Sequence, residues 1–302
     1  PEYHPFSLYM DESPDWDGID RIDSLARRVS SVPLWVKCFH RWLLGMAAQW
    51  LETDRLHANS VSPVLVSRTQ GKQKSTFCKL LLPRELQRYY TDSYDLSAQS
   101  AAECKLTEFG LINMDEFDKF TPRKMALLKN LMQVVNPCVR KAHQKNYRPL
   151  PRVASFIATS NQKELLTDTT GSRLFLCVEI ENKIDCSPLD YRQLYAQLKA
   201  ELLAGERYWF TSEEEAEIMA ANESYYKHPV EEDVFRSCFR PAEYGEKALM
   251  LSAAEIFQRL KKHNPAAMRS VSAGNFGKFL SSLGIERKHT ESGNYYRVVA
   301  LV

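Results

Sequence analysis

The stretch "PVLVSRTQGKQKSTF", residues Pro63–Phe77, places an apolar run before a basic loop and a helix-forming segment. The run "PVLVS" has the composition of a buried strand, and "KSTFCKLLLP" predicts a helix that stops at Pro83. A loop rich in lysine and hydroxyl residues between a strand and a helix is typical of phosphate-binding sites, because backbone N–H groups at a helix N-terminus attract anions. The order strand, loop, helix therefore suggests a nucleotide-binding fold.

The loop fits the P-loop pattern G-x-x-x-x-G-K-[ST] only in part, in two alternative registers. With Gly71–Lys72 as the glycine-lysine pair, Gln73 stands where a hydroxyl is required. With Lys74–Ser75 as the lysine and the hydroxyl, Arg68 and Gln73 stand at the glycine positions. Only the second register leads directly into the predicted helix, which favours it. A basic surface turn is the alternative interpretation of the loop alone.

Two later apolar runs also end in polar side chains suited to phosphoryl transfer. "LINMDE" ends in Asp115 and Glu116, the Walker B form, in which one carboxylate holds Mg²⁺ and the next polarises the attacking water. "FIATSN" ends in Asn161, a residue placed to orient that water, and "DTTGSRLF" offers Arg173 to stabilise transition-state charge. Because these elements occur together and in the expected order, the set is much more specific than any single match.

Alternating strands and helices from residue 60 onward predict an α/β fold with a mostly parallel sheet. We expect a P-loop NTPase core of the AAA+/helicase-like type, with a helical N-terminal segment and a C-terminal winged helix-turn-helix domain. The predicted boundaries are 1–59, 60–182, 183–244 and 245–302. An apolar stripe at helical spacing in the first segment predicts core-facing side chains, which are Leu25, Val29, Trp35, Phe39, Trp42, Leu43 and Met46.

The C-terminal piece is basic, although the formal charge of the whole chain is only +2. From Glu246 to Val302 there are nine Lys/Arg and four Asp/Glu residues, a net of +5, against −3 for the preceding residues. This asymmetry is a hint of DNA contact. So is the basic run "VRKAHQKNYR", which lies between the predicted strands that end at Asp115 and Asn161. A solvated surface is the alternative for both. The candidate DNA-binding residues are Lys141, Lys145, Arg148, Lys261, Lys262, Arg269, Lys278, Arg287, Lys288 and Arg297.

The seven cysteines are dispersed and contain no C-x-x-C pair, which indicates reduced thiols and argues against zinc. No apolar run approaches the length of a membrane span, and the N-terminus lacks a secretion signal. The expected location is therefore the cytoplasm, with no membrane partner. The first residue is proline, so the chain is open to being a fragment of a longer protein.

These motifs resemble the virulence-associated E (VirE) family of P-loop proteins, which are similar to superfamily-three-type helicases of phages and mobile elements. The resemblance covers roughly residues 5–180. "WDGIDR" looks like the family's "WDG-x-DR" signature, "TQGKQKSTF" is similar to its "QG-x-GKSTF", and "GSRLF" to its "GSRRF". The matching loop residues are Gln70, Gly71, Lys74, Ser75 and Thr76. The C-terminal part resembles an extra domain carried by Bacteroides-type members.

The resemblance implies an ATP-driven motor on single-stranded DNA or a replication fork, working with a primase module and assembled as a homo-oligomeric ring. ATP and Mg²⁺ are the implied cofactors. Lys72 and Gln73 join the five matching loop residues in the expected nucleotide site; Ser75 and Asp115 would hold the metal, and Glu116, Asn161 and Arg173 would be catalytic. Two departures stand out, Gln73 in place of glycine and Leu174 in place of the second arginine of "GSRRF". If the loop needs positive φ at Gln73, tight ATP binding is put in doubt.

Three functions remain open at this level. The first is the helicase-type ATPase. The second is a non-hydrolysing nucleotide switch or DNA-binding protein on a degenerate P-loop scaffold. The third is an interaction scaffold with no role on DNA. ATP turnover separates the first two, and binding to DNA at low salt separates both from the third.

Overall fold

The computed structural model describes residues 4–53, 56–139, 146–167, 170–227, 229–243, 245–290 and 293–301. The chain divides into two compact units, Pro1–Tyr226 and Lys227–Val302. In the described part of the chain, no helix combines the length and the apolar character needed to span a bilayer.

The N-terminal segment forms helices α1 (Pro5–Asp11), α2 (Arg21–Arg27) and α3 (Pro33–Leu51). Asp20 caps α2 by accepting a hydrogen bond from the N–H of Asp23, and proline opens α3 at a position where no N–H is needed. The predicted apolar stripe is confirmed as core, because each of its seven side chains is at most 8% exposed.

Seven strands follow in the first unit: β1 (Ser62–Val66), β2 (Tyr90–Thr91), β3 (Leu111–Met114), β4 (Cys138–Val139), β5 (Arg148–Pro149), β6 (Ser155–Ser160) and β7 (Phe175–Glu179). Five of them form a parallel sheet in the order β2-β3-β6-β1-β7, and β4 and β5 pair separately as an antiparallel hairpin. The prediction of a mixed α/β fold around a parallel sheet is confirmed.

Helices cover both faces of this sheet: α4 (Lys74–Leu80), α5 (Gln99–Leu106), α6 (Pro122–Gln133), α7 (Tyr191–Leu203) and α8 (Ser212–Ala221). Strand β1 shows why both faces need cover. Leu65 packs in one hydrophobic cluster, with α3 and α7, while Val64 and Val66 pack in the other. Strands buried on both faces are typical of parallel sheets, and they leave only the ends of the strands accessible to a ligand.

The second unit contains α9 (Val230–Cys238), β8 (Phe239–Pro241), β9 (Leu249–Ser252), α10 (Ala253–His263), α11 (Ala273–Ser282), β10 (Arg287–Thr290) and β11 (Gly293–Ala300). Strand β11 pairs antiparallel with β8, β9 and β10. Two helices followed by a hairpin are the elements that the sequence predicts. Helix α9 and strand β8 fall within the segment 183–244, for which we expected a separate helical extension, but Val234 and Phe235 of α9 are buried in the core of this second unit.

Candidate functional site

The carboxyl ends of β1, β3 and β6 bring the predicted strand-end residues to one edge of the sheet. In the register of the sheet, Val64 lies beside Ala158, and Ala158 in turn lies beside Met114. The next residues along these strands therefore emerge together, although they are distant in sequence. Parallel pairing alone accounts for the meeting of the loop after β1 with Asp115 and Asn161.

The loop between β1 and α4 contains two residues with positive φ. Gly71 has a φ of 78° and Gln73 a φ of 64°. The side chain of Lys72 turns to the segment after β7, where its Nζ donates to the carbonyl of Glu181 at 2.6 Å. The N–H of Ile184 donates to the carbonyl of Lys72 at 3.1 Å. Lys72 is thus used to hold the loop in place, and Gln73 adopts the backbone conformation that glycine favours.

Helix α4 begins at Lys74, as the second register predicts, and this lysine is buried. Its Nζ donates to Asn161 Oδ1 at 2.9 Å. Burial lowers the pKa of Lys74, while the carboxylates of Asp115 and Asp118 act in the opposite direction. Since an ammonium group only donates, Asn161 must present its oxygen to Lys74 and keeps its NH₂ group as a donor for a ligand.

The carboxylate of Asp115 joins the three elements at this edge. Its Oδ1 accepts from Ser75 Oγ at 3.3 Å and from Thr159 Oγ1. A hydroxyl and a carboxylate at this separation suit Mg²⁺, which takes one or two protein oxygens and keeps several waters. Within the described ranges, no group of three His, Cys, Asp or Glu side chains is arranged as a metal site, so Ser75 and Asp115 would need water or phosphate oxygens to complete the coordination.

Two acidic residues after Asp115 have different surroundings. Glu116 has a φ of 52°, is exposed, and pairs with Lys119 at 2.6 Å. Asp118 is half-buried, and its Oδ1 accepts from Ser160 Oγ at 2.9 Å and from the N–H of Asn161 at 3.2 Å. The sequence drew attention to Glu116, whereas Asp118 is the residue tied to the end of β6. The repeat of carboxylates in "DEFD" was the available signal.

The remaining predicted catalytic residue, Arg173, lies in a 3₁₀ turn before β7 (Thr170–Leu174). Its guanidinium forms an ion pair with Glu215 of α8 at 3.4 Å, and 44% of its side chain is exposed. Gln70 and Thr76 are exposed residues of the loop and of the first turn of α4. The structure therefore brings Lys74, Ser75, Asp115 and Asn161 together and holds Arg173 against α8.

Arg152 is a buried cation that the sequence did not single out. Its guanidinium donates to backbone carbonyls at the end of α6, including those of Met132 at 2.6 Å and Val134 at 3.3 Å. It also donates to the carbonyls of Asn59 and Ala154. Burial lowers the pKa of Arg152 to about 10. Because backbone oxygens occupy its donors, this arginine joins α6 to the sheet and is not available to a ligand.

Of the three predicted DNA-binding residues in the first unit, the structure describes only Arg148. Arg148 is exposed on β5, and Lys141 and Lys145 lie outside the described residues. In the second unit, six of the seven predicted cations are exposed: Lys261, Lys262, Arg269, Lys278, Arg287 and Lys288. Arg297 differs, because it pairs with Glu286 at 3.0 Å and donates to the carbonyl of Glu246 at 2.6 Å. Its charge is therefore already used within the second unit.

Comparison with solved structures gives likenesses at low identity. Two apo structures of the C-terminal region of NrS-1 are 13% and 12% identical, with TM-scores of 0.47 and 0.43, each covering 97% of this chain and 78% of that chain. A third, an A-form apo structure of the same region, is 15% identical with a TM-score of 0.39, covering 72% of this chain. The chain spans only 45% of the length of this third structure. No curated protein matches the chain.

Comparison with family models divides the chain near the boundary of the two compact units. Residues 228–298 match a domain of unknown function from B. theta, DUF3874. Residues 10–227 match the virulence-associated protein E-like domain. This second match covers the whole parallel sheet and every residue at its carboxyl edge named above. The chain therefore belongs to the virulence-associated protein E-like domain family.

Proposed function

We propose that this chain is a P-loop ATPase of the DNA helicase or translocase type, acting in the replication of a bacterial mobile element or phage. The observation that carries the proposal is the meeting of Lys74, Ser75, Asp115 and Asn161 at the carboxyl ends of three neighbouring strands. Strand β1 lies between β6 and β7, where the strand order reverses. In open α/β sheets, ligands bind at such switch points.

Each side chain at this edge has a role in phosphoryl transfer. Lys74 would exchange the Asn161 oxygen for β- and γ-phosphate oxygens, and Ser75 and Asp115 would hold Mg²⁺, which supplies positive charge to the phosphates when bound. Asn161 would then orient the attacking water through its amide. Glu116 would polarise that water after leaving its pair with Lys119. Arg173, once released from Glu215, would reach the γ-phosphate or the neighbouring subunit of a ring.

The test is ATP hydrolysis by the whole chain, with and without single-stranded DNA. We expect Lys74→Ala and Glu116→Gln each to lower turnover by about 100-fold or more, because each removes charge stabilisation or water activation at the reacting phosphate. Lys79→Ala is the matched control, since Lys79 is an exposed lysine later in the same helix α4 and lies outside the loop. Wild-type turnover equal to that of Lys74→Ala would refute the ATPase.

A second candidate function is a non-hydrolysing nucleotide switch on the same scaffold. The observation that favours it is the backbone of Gln73, which has a φ of 64° and carries a side chain beside Lys74, the lysine that would bind the phosphates. Titration with a fluorescent ATP analogue separates the two candidates. Binding that depends on Mg²⁺ and on Lys74, without turnover, supports the switch. Binding followed by turnover supports the motor.

The second unit supports DNA binding as a winged helix-turn-helix. Helices α10 and α11 are followed by the β10–β11 hairpin, and exposed cations lie on all of these except β11. In this proposal α11 enters a groove and the hairpin forms the wing. The expected partners are single-stranded DNA or a fork, a primase module and further copies of this chain in a ring. DNA binding that stays undetectable near 50 mM salt would contradict this part of the proposal.

A further inference from the structure

A short 3₁₀ helix, Phe117–Lys119, fixes the position of Asp118 next to the candidate site. Phe117 is 1% exposed, and its ring packs against Phe175 of β7 with a centroid distance of 5.0 Å. It also contacts Phe120 at 5.5 Å. Because the ring of Phe117 is fixed in the core and also contacts Phe120, the backbone between these two residues, which carries Asp118, has little freedom. Asp118 is therefore held at the end of β3 by packing and not by its own hydrogen bonds alone.

From this position, the carboxylate of Asp118 reaches the end of β6. Ser160, which is 1% exposed, places its Oγ within hydrogen-bond distance of two acceptors, Asp118 Oδ1 at 2.9 Å and the carbonyl of Gln162 at 2.8 Å. The N–H of Asn161 donates to the same carboxylate oxygen at 3.2 Å. Two donors from consecutive residues thus converge on Asp118, at the residue that carries the amide facing Lys74.

Among the residues that the structure describes, the carboxylate of Glu116 instead pairs with the ammonium group of Lys119. The carboxylates of Glu116 and Asp118 are therefore suited to different roles. Glu116 is exposed and can move toward a water, whereas Asp118 is bound to the backbone and the hydroxyl of the neighbouring strand. A carboxylate that accepts two hydrogen bonds in this way serves to fix geometry.

We propose that Asp118 is the positioning residue of the site, and that it acts through Asn161. By holding the N–H of Asn161 and the hydroxyl of Ser160, it sets where β6 ends and aims the Asn161 amide between Lys74 and the reacting phosphate. This inference rests on the proposed ATPase function and adds to it a residue that does not itself touch the nucleotide. Its loss should affect the chemical step more than the binding of ATP, because Lys74, Ser75 and Asp115 remain.

The first experiment compares steady-state ATP hydrolysis by Asp118→Ala, Asp118→Asn, Asn161→Ala and Asp118→Ala/Asn161→Ala. We expect Asp118→Ala to lower kcat by about tenfold or more with KM for ATP within about twofold of wild type, and Asp118→Asn, which keeps an acceptor oxygen, to lose less. The double variant should be no slower than Asn161→Ala, since the two residues act as one unit. Additive losses would overturn the proposal, because Asp118 would then act independently of Asn161.

Asp95→Ala provides a matched control. Asp95 likewise accepts from a backbone N–H and a serine hydroxyl, those of Ser97 at 2.8 Å and 2.6 Å, but it is an exposed residue of the loop after β2 and both of these bonds stay within that loop. We expect kcat to be unchanged in this variant. An equal fall in Asp95→Ala and Asp118→Ala would also contradict the proposal. Asp118→Asn guards against misfolding, because it conserves shape.

A second experiment does not depend on turnover. Amide hydrogen exchange of the peptide that carries Asn161 is followed by mass spectrometry in wild type, Asp118→Ala and Asp95→Ala. Because the N–H of Asn161 donates to Asp118, we expect faster exchange at the end of β6 in Asp118→Ala and wild-type exchange there in Asp95→Ala. Unchanged exchange in Asp118→Ala would overturn the proposal, because Asp118 would then not hold the end of β6. Faster exchange in Asp118→Ala, together with a wild type that has no ATPase activity, would refute the proposed function and leave the placement of Asp118 supported.

Discussion

Gln73 adopts a backbone conformation that its own β-carbon disfavours. For a residue other than glycine, the left-handed region costs roughly 1–2 kcal/mol, and the φ of Gln73 is 64°. The loop is held in this state from outside, by the hydrogen bonds that join Lys72 to Glu181 and Ile184. The contacts made by the segment after β7 therefore offset strain at the residue next to Lys74, since such strain persists only where the surrounding structure holds it.

Replacing Gln73 with glycine should relieve this strain. We expect Gln73→Gly to raise the free energy of unfolding by about 0.5–1 kcal/mol, the relief of strain less the added entropy of the unfolded chain. Gln70→Gly is the control, since Gln70 is an exposed residue of the same loop without positive φ and should gain nothing. Urea unfolding of the three proteins measures both changes. Equal stability of the two variants would contradict the strain at position 73.

Helix α8 is the element that fixes the turn carrying Arg173. It begins with a capping box, in which Thr211 and Glu214 each bond the other's backbone N–H. Glu215 in its first turn pairs with Arg173, and Asn222 at its end donates to the carbonyls of Ser172 and Phe175. The helix thus contacts the turn Thr170–Leu174 at both of its ends, and loss of α8 should release the arginine.

The carboxylate of Glu214 makes the stability of α8 dependent on pH. Bidentate hydrogen bonding from Arg207, at 2.7 and 2.8 Å, lowers the pKa of Glu214 from 4.5 to about 2. A lowered pKa in the folded state means that this stability is fully present above pH 4.5 and is lost as the pH falls toward 2. Across this pH range, we expect the free energy of unfolding of wild type to fall by about 2 kcal/mol more than that of Glu214→Gln.

Chemical unfolding at pH 5, 4 and 3 measures this difference, with Glu217→Gln as the control. Glu217 lies on the same helix, and its pair with Lys37 is half-exposed, so its replacement should preserve the wild-type pH dependence. If the free energy of unfolding of wild type and of Glu214→Gln falls equally with pH, the ion pair between Arg207 and Glu214 does not contribute to stability. The comparison between variants removes the effect of the other carboxylates that titrate in this range.

At the scale of the whole molecule, the sequence was most informative where local pattern determines structure. Apolar runs predicted the strands that end near Asp115 and Asn161, and the helical periodicity of the first segment predicted its buried stripe. The start of α4 at Lys74 followed from the position of the loop relative to the apolar run. In each of these cases, the decisive interactions join residues that are close in the chain.

The sequence was least informative where partners come from distant parts of the chain. The contacts of Asp118 with Ser160 and Asn161 depend on β3 lying beside β6, and the strand order cannot be obtained from periodicity. The same holds for Arg152, whose acceptors come from α6 and Asn59. The predicted boundary at residue 245 left the residues of helix α9 in the preceding segment, because the sequence does not show against which core Val234 and Phe235 pack.

The surface charge of the second unit gives a prediction about DNA binding by the whole chain. Lys262 and Lys288 are exposed, whereas Arg297 is held by Glu286 and the carbonyl of Glu246. A cation that neutralises a phosphate releases a counterion. Removing such a cation therefore makes the negative slope of log K against log salt shallower by roughly one. We expect this change in Lys262→Gln and in Lys288→Gln. Arg297→Gln should change the slope by less than half as much, because its charge is already paired within the unit.

Fluorescence anisotropy with a labelled single strand, measured from 50 to 200 mM salt, gives the three slopes on one scale. The variants remove the same formal charge, so a difference among them reports the surroundings of each cation and not the net charge of the chain. If Arg297→Gln lowers the slope as much as Lys288→Gln does, its ion pair must open to meet a phosphate. If none of the three changes the slope, the DNA contacts lie elsewhere, with Arg148 of β5 the next residue to replace.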